Sequence, residues 1–476
     1  MRYRPRRRRA PVVLGMVAVA AVIGLWFPPR PGPAAGSPAP AQLTTGVLSP
    51  RRVPGILART VAQLRLGAGL EAALADPVLG SGRDQSCLVV RQGGLTLFER
   101  RPTLELIPAS NLKLLTATAL FDKLGPAAKE TTAVKAAVAP AAGVINGDLY
   151  VIGGGDPLLR TADYVSSLRF KELVYSHLDQ VAQAVRAAGI TEVKGSVVGD
   201  ESRYDAQRGI PTWKPSYATD GEVGPLSALD VNDGFSAFAP RLVASPEPAV
   251  AAAAVLTKLL GDRGVKIDGP ATKGQAPAAA VPVASLPSLS MADSVAEILR
   301  QSDNTGAELL TKELGLRFGG APSTAAGVAV TRQDLQRQGL PVSQLVAVDG
   351  SGLDRSDRAT CQLVLDVLVR GGPDGPLAAA LPVAGRTGTL SKRMVNTPAA
   401  GRVHAKTGAL TGVGGLSGWV LPPGDPKSAA PAPLVFSFLV NGLPTQAIGE
   451  AAEDRIGVLL AGYPQAPPVD QLGPLP

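Results

Sequence analysis

The sequence predicts an α+β fold in which an antiparallel sheet is flanked by helices and a β-rich domain is inserted at residues 128–285. Three observations lead to this prediction. A strand-rich hairpin at residues 86–99 precedes an apolar helical stretch at 110–124, and three further strand-like runs and a helix follow residue 400. Between them, residues 128–285 change to short strand-like runs around glycines. Separate helical and strand-rich stretches of this kind are typical of α+β domains.

The composition describes a folded protein with no general affinity for nucleic acid. Of the 476 residues, 45% are hydrophobic, which is typical of globular chains. The formal net charge is +8, but residues 1–9 contain six arginines, so the rest of the chain carries only +2. A nucleic-acid-binding body is therefore not expected.

The N-terminus is predicted to direct export. The arginine cluster precedes an apolar run at residues 12–27, so we interpret residues 1–30 as a signal peptide or signal anchor. A weak cleavage site lies at Ala39–Pro40–Ala41, and the alternative is a buried helix beside a nucleic-acid-binding arm. The positive-inside rule then places the body outside the membrane, secreted or anchored by residues 12–27. Residues 31–55 are a predicted Pro/Ala-rich linker and residues 464–476 a Pro-rich tail.

The remaining chain divides into a predicted catalytic domain, 56–127 and 286–463, and a predicted inserted domain, 128–285. In the first part we expect a helix at 57–75 before the hairpin and the apolar helix. In the inserted part we expect strands at 147–155 and 192–200, helices near 169–188 and 247–260, and a flexible stretch at 273–287. Helices then follow from residue 290, three strands after residue 400, and a last helix at about 445–461.

Two cysteines and two histidines limit the available chemistry. Export permits a disulfide between Cys87 and Cys361, but both lie in apolar segments, so two buried thiols are the preferred alternative. His177 and His404 are too few, with these cysteines, for a structural zinc site and for most catalytic ones. No metal site is predicted.

A first polar motif interrupts the apolar helix. Ser110 and Lys113 are three residues apart just after Pro108, so they lie on one face about one turn apart. A serine at the helix start lies at the positive end of the helix dipole, which favours an alkoxide or oxyanion. Burial of the amine lowers its pKa, so neutral Lys113 is predicted to take the proton of Ser110. The apolar neighbours that would bury it are Ile107, Leu112, Leu114 and Leu115.

Two further motifs follow in order. Ser302-Asp303-Asn304 fits a polar turn between two helices, where Ser302 is expected to relay a proton and Asn304 to hold Lys113 and a substrate amide. Lys406-Thr407-Gly408 is expected on a strand. There Lys406 and Thr407 suit a free carboxylate, and Gly408 permits a peptide to lie alongside.

Each motif alone has an ordinary structural explanation. Ser110 and Lys113 fit a capped helix with a solvated lysine, residues 302–304 a helix-joining turn, and residues 406–408 the end of a strand. Their joint occurrence, in this order, favours a catalytic site. His404 is expected to be a strand residue that faces the same side as Lys406, without a direct role.

With these motifs, the chain resembles the low-molecular-mass class C penicillin-binding proteins, which are D-alanyl-D-alanine carboxypeptidases and endopeptidases. The resemblance covers about residues 85–460 and includes more than the motifs. The stretches that carry it are LIPASNLKLLTATAL, GDLYVIGGGDPLL, GSVVGDESRYD, VDGSGLDRSDRAT, GRTGTLSKRM and HAKTGALTGVGGLSGWV.

The resemblance implies a penicillin-recognising serine transpeptidase/β-lactamase-like domain that forms an acyl-enzyme at Ser110 on peptidoglycan stem peptides. The oxyanion would lie on the backbone N–H groups of Ser110 and Ala409. β-Lactam antibiotics would be covalent inhibitors, and no metal or organic cofactor is implied. The stretch between Lys113 and Ser302 is shorter than in the larger members, and the arginine-rich start indicates an actinobacterial variant.

Two rival functions fit the sequence less well. A class A β-lactamase needs a glutamate between the second and third motifs, yet residues 314–405 contain none, and Glu308 lacks the asparagine that would follow it. A catalytically silent wall-binding protein would not need both Ser110 and Lys113. Wall binding by the insert stays open, with Trp213 and Tyr217 as candidates, although a packed inter-domain loop is the preferred interpretation of that stretch.

Overall fold

A computed structural model describes residues 53–168, 174–423 and 432–465. The predicted signal segment, almost all of the predicted linker and almost all of the tail lie outside these residues. In the described part the α-helices are α1 Val53–Leu74, α2 Leu112–Lys123, α3 Ala162–Ser167, α4 Leu178–Ala187, α5 Ser216–Thr219, α6 Pro248–Gly261, α7 Met291–Gln301, α8 Asn304–Phe318, α9 Thr324–Arg337, α10 Cys361–Gly371, α11 Pro376–Ala379 and α12 Gln446–Ala461.

The strands are numbered in chain order over the same residues. They are β1 Ser86–Gln92, β2 Leu95–Arg100, β3 Thr131–Ala136, β4 Val144–Ile145, β5 Leu149–Ile152, β6 Leu159–Arg160, β7 Ser176–His177, β8 Glu192–Val193, β9 Val197–Asp200, β10 Phe235–Ala237, β11 Val243–Ala244, β12 Lys266–Ile267, β13 Thr272–Lys273, β14 Val281–Pro287, β15 Val403–Leu410, β16 Val413–Val420 and β17 Leu434–Asn441.

The central sheet is antiparallel and brings together the two ends of the described chain. Its strand order is β15-β16-β17-β1-β2, so the hairpin after α1 pairs with the last strand through Leu88 and Phe438. Alternate residues of a strand face opposite sides. Val89 and Leu439 therefore belong to one hydrophobic core, while Leu88 and Phe438 belong to another. The inner strands β16, β17 and most of β1 are buried on both faces, which explains their almost continuous apolar sequences.

Helices cover each face of this sheet. Helices α2, α7, α8 and α10 contribute leucines and valines to the first core, among them Leu114, Leu310 and Val364. Helices α1 and α12 contribute Leu70, Leu74 and Leu460 to the second core. Helix α1 begins at Val53, inside the predicted linker. Pro54 does not prevent this start, since a proline in the first turn of a helix removes no intrahelical hydrogen bond.

A disulfide joins Cys87 of β1 to Cys361 at the start of α10, with 5.9 Å between the Cα atoms. The sequence had left the bridge open and had favoured two buried thiols. Both residues are fully buried in the first core, so the bridge ties the central sheet to a helix that covers it.

The segment 128–285 has a hydrophobic cluster of its own. A mixed sheet of order β13-β9-β5-β3-β14 packs against α4 and α6, and Val134, Val151 and Leu256 are fully buried between them. The boundaries of an inserted domain remain a prediction, but the elements expected near 147–155, 192–200 and 247–260 are present as strands and a helix.

One local prediction was wrong. The stretch expected to be flexible ends in β14, which pairs antiparallel with β3 from Val281 to Pro287. Its prolines Pro282 and Pro287 suggested a loop. They are tolerated because β14 is an edge strand, where a missing N–H need not cost a ladder hydrogen bond.

Within the part of the chain that the structure describes, no helix combines the length and apolar character that crossing a membrane requires.

Candidate active site

Ser110 lies in a short 3-10 turn, Ala109–Asn111, that leads into α2. The preceding Ala109 is fully buried and has a left-handed backbone with φ +46°, which is uncommon for a residue with a Cβ. Strained conformations of this kind are maintained only where the surroundings fix them. The turn therefore presents the hydroxyl of Ser110 at the positive end of α2. The α-helix itself begins at Leu112, slightly later than the start near Ser110 that the sequence predicted.

Lys113 is 1% exposed and donates to three oxygens. Its Nζ lies 3.0 Å from Ser110 Oγ, 2.5 Å from Asn304 Oδ1 and 2.7 Å from the carbonyl oxygen of Ser351. Burial lowers the pKa of Lys113 to about 8, although the charges of nearby carboxylates oppose the shift. An amine with this pKa, in contact with a serine hydroxyl, is suited to general-base catalysis near neutral pH.

The second motif forms the turn between α7 and α8. Ser302 has a left-handed backbone with φ +61° and ends α7, and Asp303 caps α8 by accepting a hydrogen bond from the N–H of Gly306. Asn304 donates from Nδ2 to the carbonyl oxygen of Glu222 at 2.7 Å, so its Oδ1 faces Lys113. The turn thus aims one side chain at Lys113 and another at Lys406.

Lys406 lies on β15 and is fully buried. Its Nζ donates to Ser302 Oγ at 3.0 Å and to the carbonyl oxygen of Thr407 at 2.9 Å. Burial lowers the pKa of Lys406 well below its ordinary value, and the charge of Lys113 lowers it further. Since two neighbouring ammonium groups repel each other, one of the two amines is favoured in its neutral form.

The remaining residues of the third motif face a cleft of about 820 Å³, which Thr407, Gly408, Ala409, Thr389 and Glu222 help to line. The hydroxyl of Thr407 donates to Thr389 Oγ1 at 2.9 Å. The exposed Ala409 follows Gly408 on the same strand, so its backbone lies at the edge of the cleft.

Gly408 lets β15 approach the nucleophile turn. A Cβ at this position would lie 2.6 Å from Asn111 Nδ2 and 2.9 Å from the carbonyl oxygen of Pro108. These separations are too short for a real side chain. The glycine is therefore required by packing against residues 108–111, a reason that the sequence motif alone did not give.

The structure brings the predicted residues into two hydrogen-bonded groups, Ser110–Lys113–Asn304 and Ser302–Lys406, with Thr407, Gly408 and Ala409 beside them. Sequence reasoning missed two partners, the carbonyl of Ser351 and the hydroxyl of Thr389. Both lie in stretches that resemble the family, but a backbone carbonyl leaves no side-chain signal. No such group involves His404, a half-buried strand residue whose pKa is lowered by burial.

Glu308 is buried and turned toward a loop. Its Oε1 accepts hydrogen bonds from the N–H groups of Gly350 and Ser351 at 2.9 and 2.8 Å. Burial raises the pKa of this carboxyl to about 8. Glu308 therefore holds the loop whose Ser351 carbonyl binds Lys113.

The candidates Trp213 and Tyr217 pack against the loop after α9. Trp213 Nε1 donates to Asp349 Oδ2 at 2.8 Å, and the hydroxyl of Tyr217 donates to the carbonyl oxygen of Leu353 at 3.3 Å. Tyr217 is buried in a cluster with Leu309 and Leu353. These contacts agree with a packed loop between the two parts of the chain.

An antiparallel sheet covered by helices, with a serine activated by a buried lysine one turn away and a second lysine on the edge strand, defines the penicillin-recognising serine enzymes. The chain matches the family described as D-Ala-D-Ala carboxypeptidase 3 (S13) over residues 66–239 and 236–463. It belongs to this family of serine hydrolases.

Relatives and solved structures agree with the assignment. The chain is similar to the D-alanyl-D-alanine carboxypeptidase of an Actinomadura species, at 29% identity over 92% of this chain and 93% of the relative. It is similar to carboxypeptidase DacB of Mycolicibacterium smegmatis, at 30% identity over 83% and 82% of the two chains. Its fold resembles penicillin binding protein 4 of Haemophilus influenzae with a TM-score of 0.65 and 20% identity, over 78% and 94% of the chains.

Proposed function

We propose that the chain is a D-Ala-D-Ala carboxypeptidase that acts on peptidoglycan stem peptides through an acyl-enzyme at Ser110. The observation that carries the proposal is the position of Lys113 Nζ, 3.0 Å from Ser110 Oγ and 2.5 Å from Asn304 Oδ1, in a chain of this family. The relatives named for D-alanyl-D-alanine carboxypeptidase activity give the substrate class.

Acylation begins with the binding of the terminal carboxylate at Lys406 and Thr407. A substrate carboxylate beside Lys406 stabilises the ammonium form of this lysine. Since only one of the two lysines is charged, Lys113 is then the neutral amine. Neutral Lys113 takes the proton of Ser110 as Oγ attacks the carbonyl carbon between the two D-alanines. The backbone N–H groups of Ser110 and Ala409 stabilise the oxyanion.

Release of the first product needs a proton on the leaving amine. Ser302, in contact with Lys406 at 3.0 Å, relays that proton while Asn304 holds the substrate amide. D-Alanine departs and the ester at Ser110 remains. Water then hydrolyses the ester, and Ser110 recovers its proton. In endopeptidase action a cross-linked side-chain amine would leave instead of D-alanine.

The same chemistry explains inhibition by β-lactams. A penicillin acylates Ser110, but its leaving group stays tethered to the acyl-enzyme, and residues 314–405 contain no glutamate that could activate water as in a class A β-lactamase. Slow deacylation follows, which argues against a β-lactamase. A β-lactam complex of a relative of the same fold has been solved.

The location follows from the substrate. Peptidoglycan lies outside the cytoplasmic membrane, so we place the enzyme there, with residues 12–27 directing export. Those residues would either be cleaved or be retained as a membrane anchor.

The test is covalent labelling combined with product analysis. Labelled penicillin is expected to modify one peptide, at Ser110, and the Ser110→Ala variant is expected to take up no label. Incubation with a pentapeptide and with a cross-linked muropeptide, followed by chromatography, separates carboxypeptidase from endopeptidase action. Label that persists in Ser110→Ala, or free D-alanine released by it at the wild-type rate, would refute the proposal.

A further inference from the structure

Three consecutive residues at the start of α8 are hydrogen-bonded to the segment 128–285. Asp303 Oδ2 accepts from Arg160 Nη2 at 2.6 Å, and Asn304 Nδ2 donates to the carbonyl oxygen of Glu222 at 2.7 Å. Thr305 Oγ1 accepts from the N–H of Gly224 at 2.9 Å. The second motif is therefore held in place by the segment 128–285, which carries none of the three motifs.

Arg160 provides the charged contact of this set. Its side chain is only 3% exposed and reaches two carboxylates, with Nη2 at 2.9 Å from Asp233 Oδ1 and 2.6 Å from Asp303 Oδ2. The hydroxyl of Tyr164 donates to the other oxygen of Asp233 at 2.7 Å. A buried guanidinium with hydrogen bonds to two carboxylates has a fixed orientation, since its donors lie in one rigid plane.

The contact fixes both oxygens of Asp303. One oxygen accepts from the N–H of Gly306 and caps α8, while the other accepts from Arg160. Asp303 stands between Ser302, whose left-handed backbone is uncommon for a serine, and Asn304, whose Oδ1 contacts Lys113. A shift of Asp303 would therefore move two proposed catalytic side chains together.

We propose that Arg160 is a positioning residue of the active site, which acts through Asp303 to hold Ser302 and Asn304 against Lys406 and Lys113. The inference rests on the proposed function of Ser110. The inference gives the segment 128–285 a part in catalysis, because that segment supplies Arg160, Glu222 and Gly224 as the hydrogen-bond partners of residues 303–305.

A second ion pair between the same two parts of the chain provides a matched control. Arg203 donates to both oxygens of Glu313 on α8, from Nε at 3.0 Å and from Nη2 at 2.6 Å. Glu313 is fully buried and the Asp303 side chain is 8% exposed, but Glu313 lies nine residues beyond Asn304. Loss of this pair removes an ion pair between the same two parts of the chain without touching the second motif. The Arg203 side chain is 29% exposed, and Glu313 keeps hydrogen bonds from Arg317 and Tyr204.

The experiment compares the full-length wild type with Arg160→Met, Arg160→Lys and Arg203→Met. The rate of acylation is measured at a series of concentrations of a fluorescent penicillin. This series gives the limiting rate at saturation and, separately, the half-saturating penicillin concentration. For Arg160→Met we expect the limiting rate to fall by about 10- to 100-fold, since small misplacements of catalytic groups have effects of this size. The half-saturating concentration should change by less than about twofold.

The two other arginine variants separate positioning from simple stabilisation. Arg160→Lys keeps one charge near Asp303 and should restore part of the limiting rate. Arg203→Met should lower the melting temperature and leave the limiting rate within about twofold of the wild type. A wild-type limiting rate in Arg160→Met would overturn the inference, and so would equal losses in Arg160→Met and Arg203→Met.

A fourth variant decides the matter if Arg160→Met does not fold. Thr305→Val removes the hydrogen bond from Gly224 without unpairing a charge, and it should lower the limiting rate in the same direction while the protein stays folded. Folded Thr305→Val with the wild-type rate then counts against the inference. A wild type that takes up no penicillin would instead refute the proposed function, so the two failures are distinguishable.

Discussion

Lys113 is the residue whose protonation should control the rate of acylation. Burial lowers its pKa to about 8. The neutral amine is the form that accepts the proton of Ser110, and its fraction falls about tenfold for each pH unit below the pKa. We therefore expect the second-order rate constant of penicillin acylation, which is measured at low penicillin concentration and reports the free enzyme, to rise with pH and to level off above about pH 8. The measurement is stopped-flow fluorescence in buffers of constant ionic strength.

The control for this pH dependence is Lys113→Ala. Without the base, the residual acylation should be very slow and should lose the rise centred near pH 8. A wild-type profile that is flat between pH 6 and 9, or an alanine variant that acylates at nearly the wild-type rate, would show that another group takes the proton.

The spacing of Ser110 and Lys113 predicted their contact because residues three apart on a helix share a face. The apolar neighbours predicted the burial of the amine, and the structure agrees on both points. The third contact of Lys113, with the carbonyl of Ser351, could not be predicted. It joins residues 238 positions apart through a backbone oxygen, and every residue type has one.

At the scale of elements, apolar runs bounded by turn residues were a good guide to the strands and helices. They placed β1, β2 and β15, and they placed the turn between α7 and α8 that carries Ser302. They failed at β14, an edge strand with two prolines, where composition indicated a loop. Strand pairing there depends on the partner β3, which a local pattern does not reveal.

The approach of β15 to the nucleophile turn makes Gly408 sensitive to substitution. In Gly408→Ala the new Cβ would lie 2.6 Å from Asn111 Nδ2 and 2.9 Å from the carbonyl oxygen of Pro108, so β15 or the turn must move. We expect the free energy of unfolding to fall by about 1 to 3 kcal/mol. The limiting acylation rate should fall by about tenfold or more, because Ala409 carries a proposed oxyanion donor.

Gly67→Ala is the matched control for this substitution. Gly67 lies in α1, and a Cβ there would meet no atom within 4 Å. Alanine in a helix is favoured over glycine by about 1 kcal/mol, so this variant should be slightly more stable and should acylate at the wild-type rate. Denaturant unfolding and penicillin acylation of both variants provide the measurement. If Gly408→Ala were as stable and as fast as the control, the packing argument would fail.

At the scale of the whole molecule, the sequence predicted that three distant motifs would form one site. That prediction rests on the order of the motifs and on the type of element that carries each, and the structure places their residues in two hydrogen-bonded groups. The sequence did not predict that residues 160, 222 and 224 would also contact the site. Those contacts depend on how the segment 128–285 sits against α8, and their residues form no recognisable motif.

The disulfide acts on the molecule as a whole. It closes a loop with a sequence separation of 274 residues, which contains Ser110, the whole segment 128–285 and Ser302. In the chain-entropy description, a cross-link lowers the entropy of the unfolded chain, and the effect grows with the length of the loop. The bridge should therefore stabilise the folded state, in which the first two motifs lie together, relative to the unfolded chain.

We expect reduction of Cys87–Cys361 to lower the free energy of unfolding by about 2 to 5 kcal/mol. The measurement is denaturant unfolding of the full chain with and without a reductant, with a Cys87→Ala/Cys361→Ala double variant as the control. Because it contains no other cysteine, that variant should unfold at one denaturant concentration under both conditions. Identical unfolding of the oxidised and reduced wild type would show that the core already holds β1 against α10, and that closing the loop adds nothing measurable.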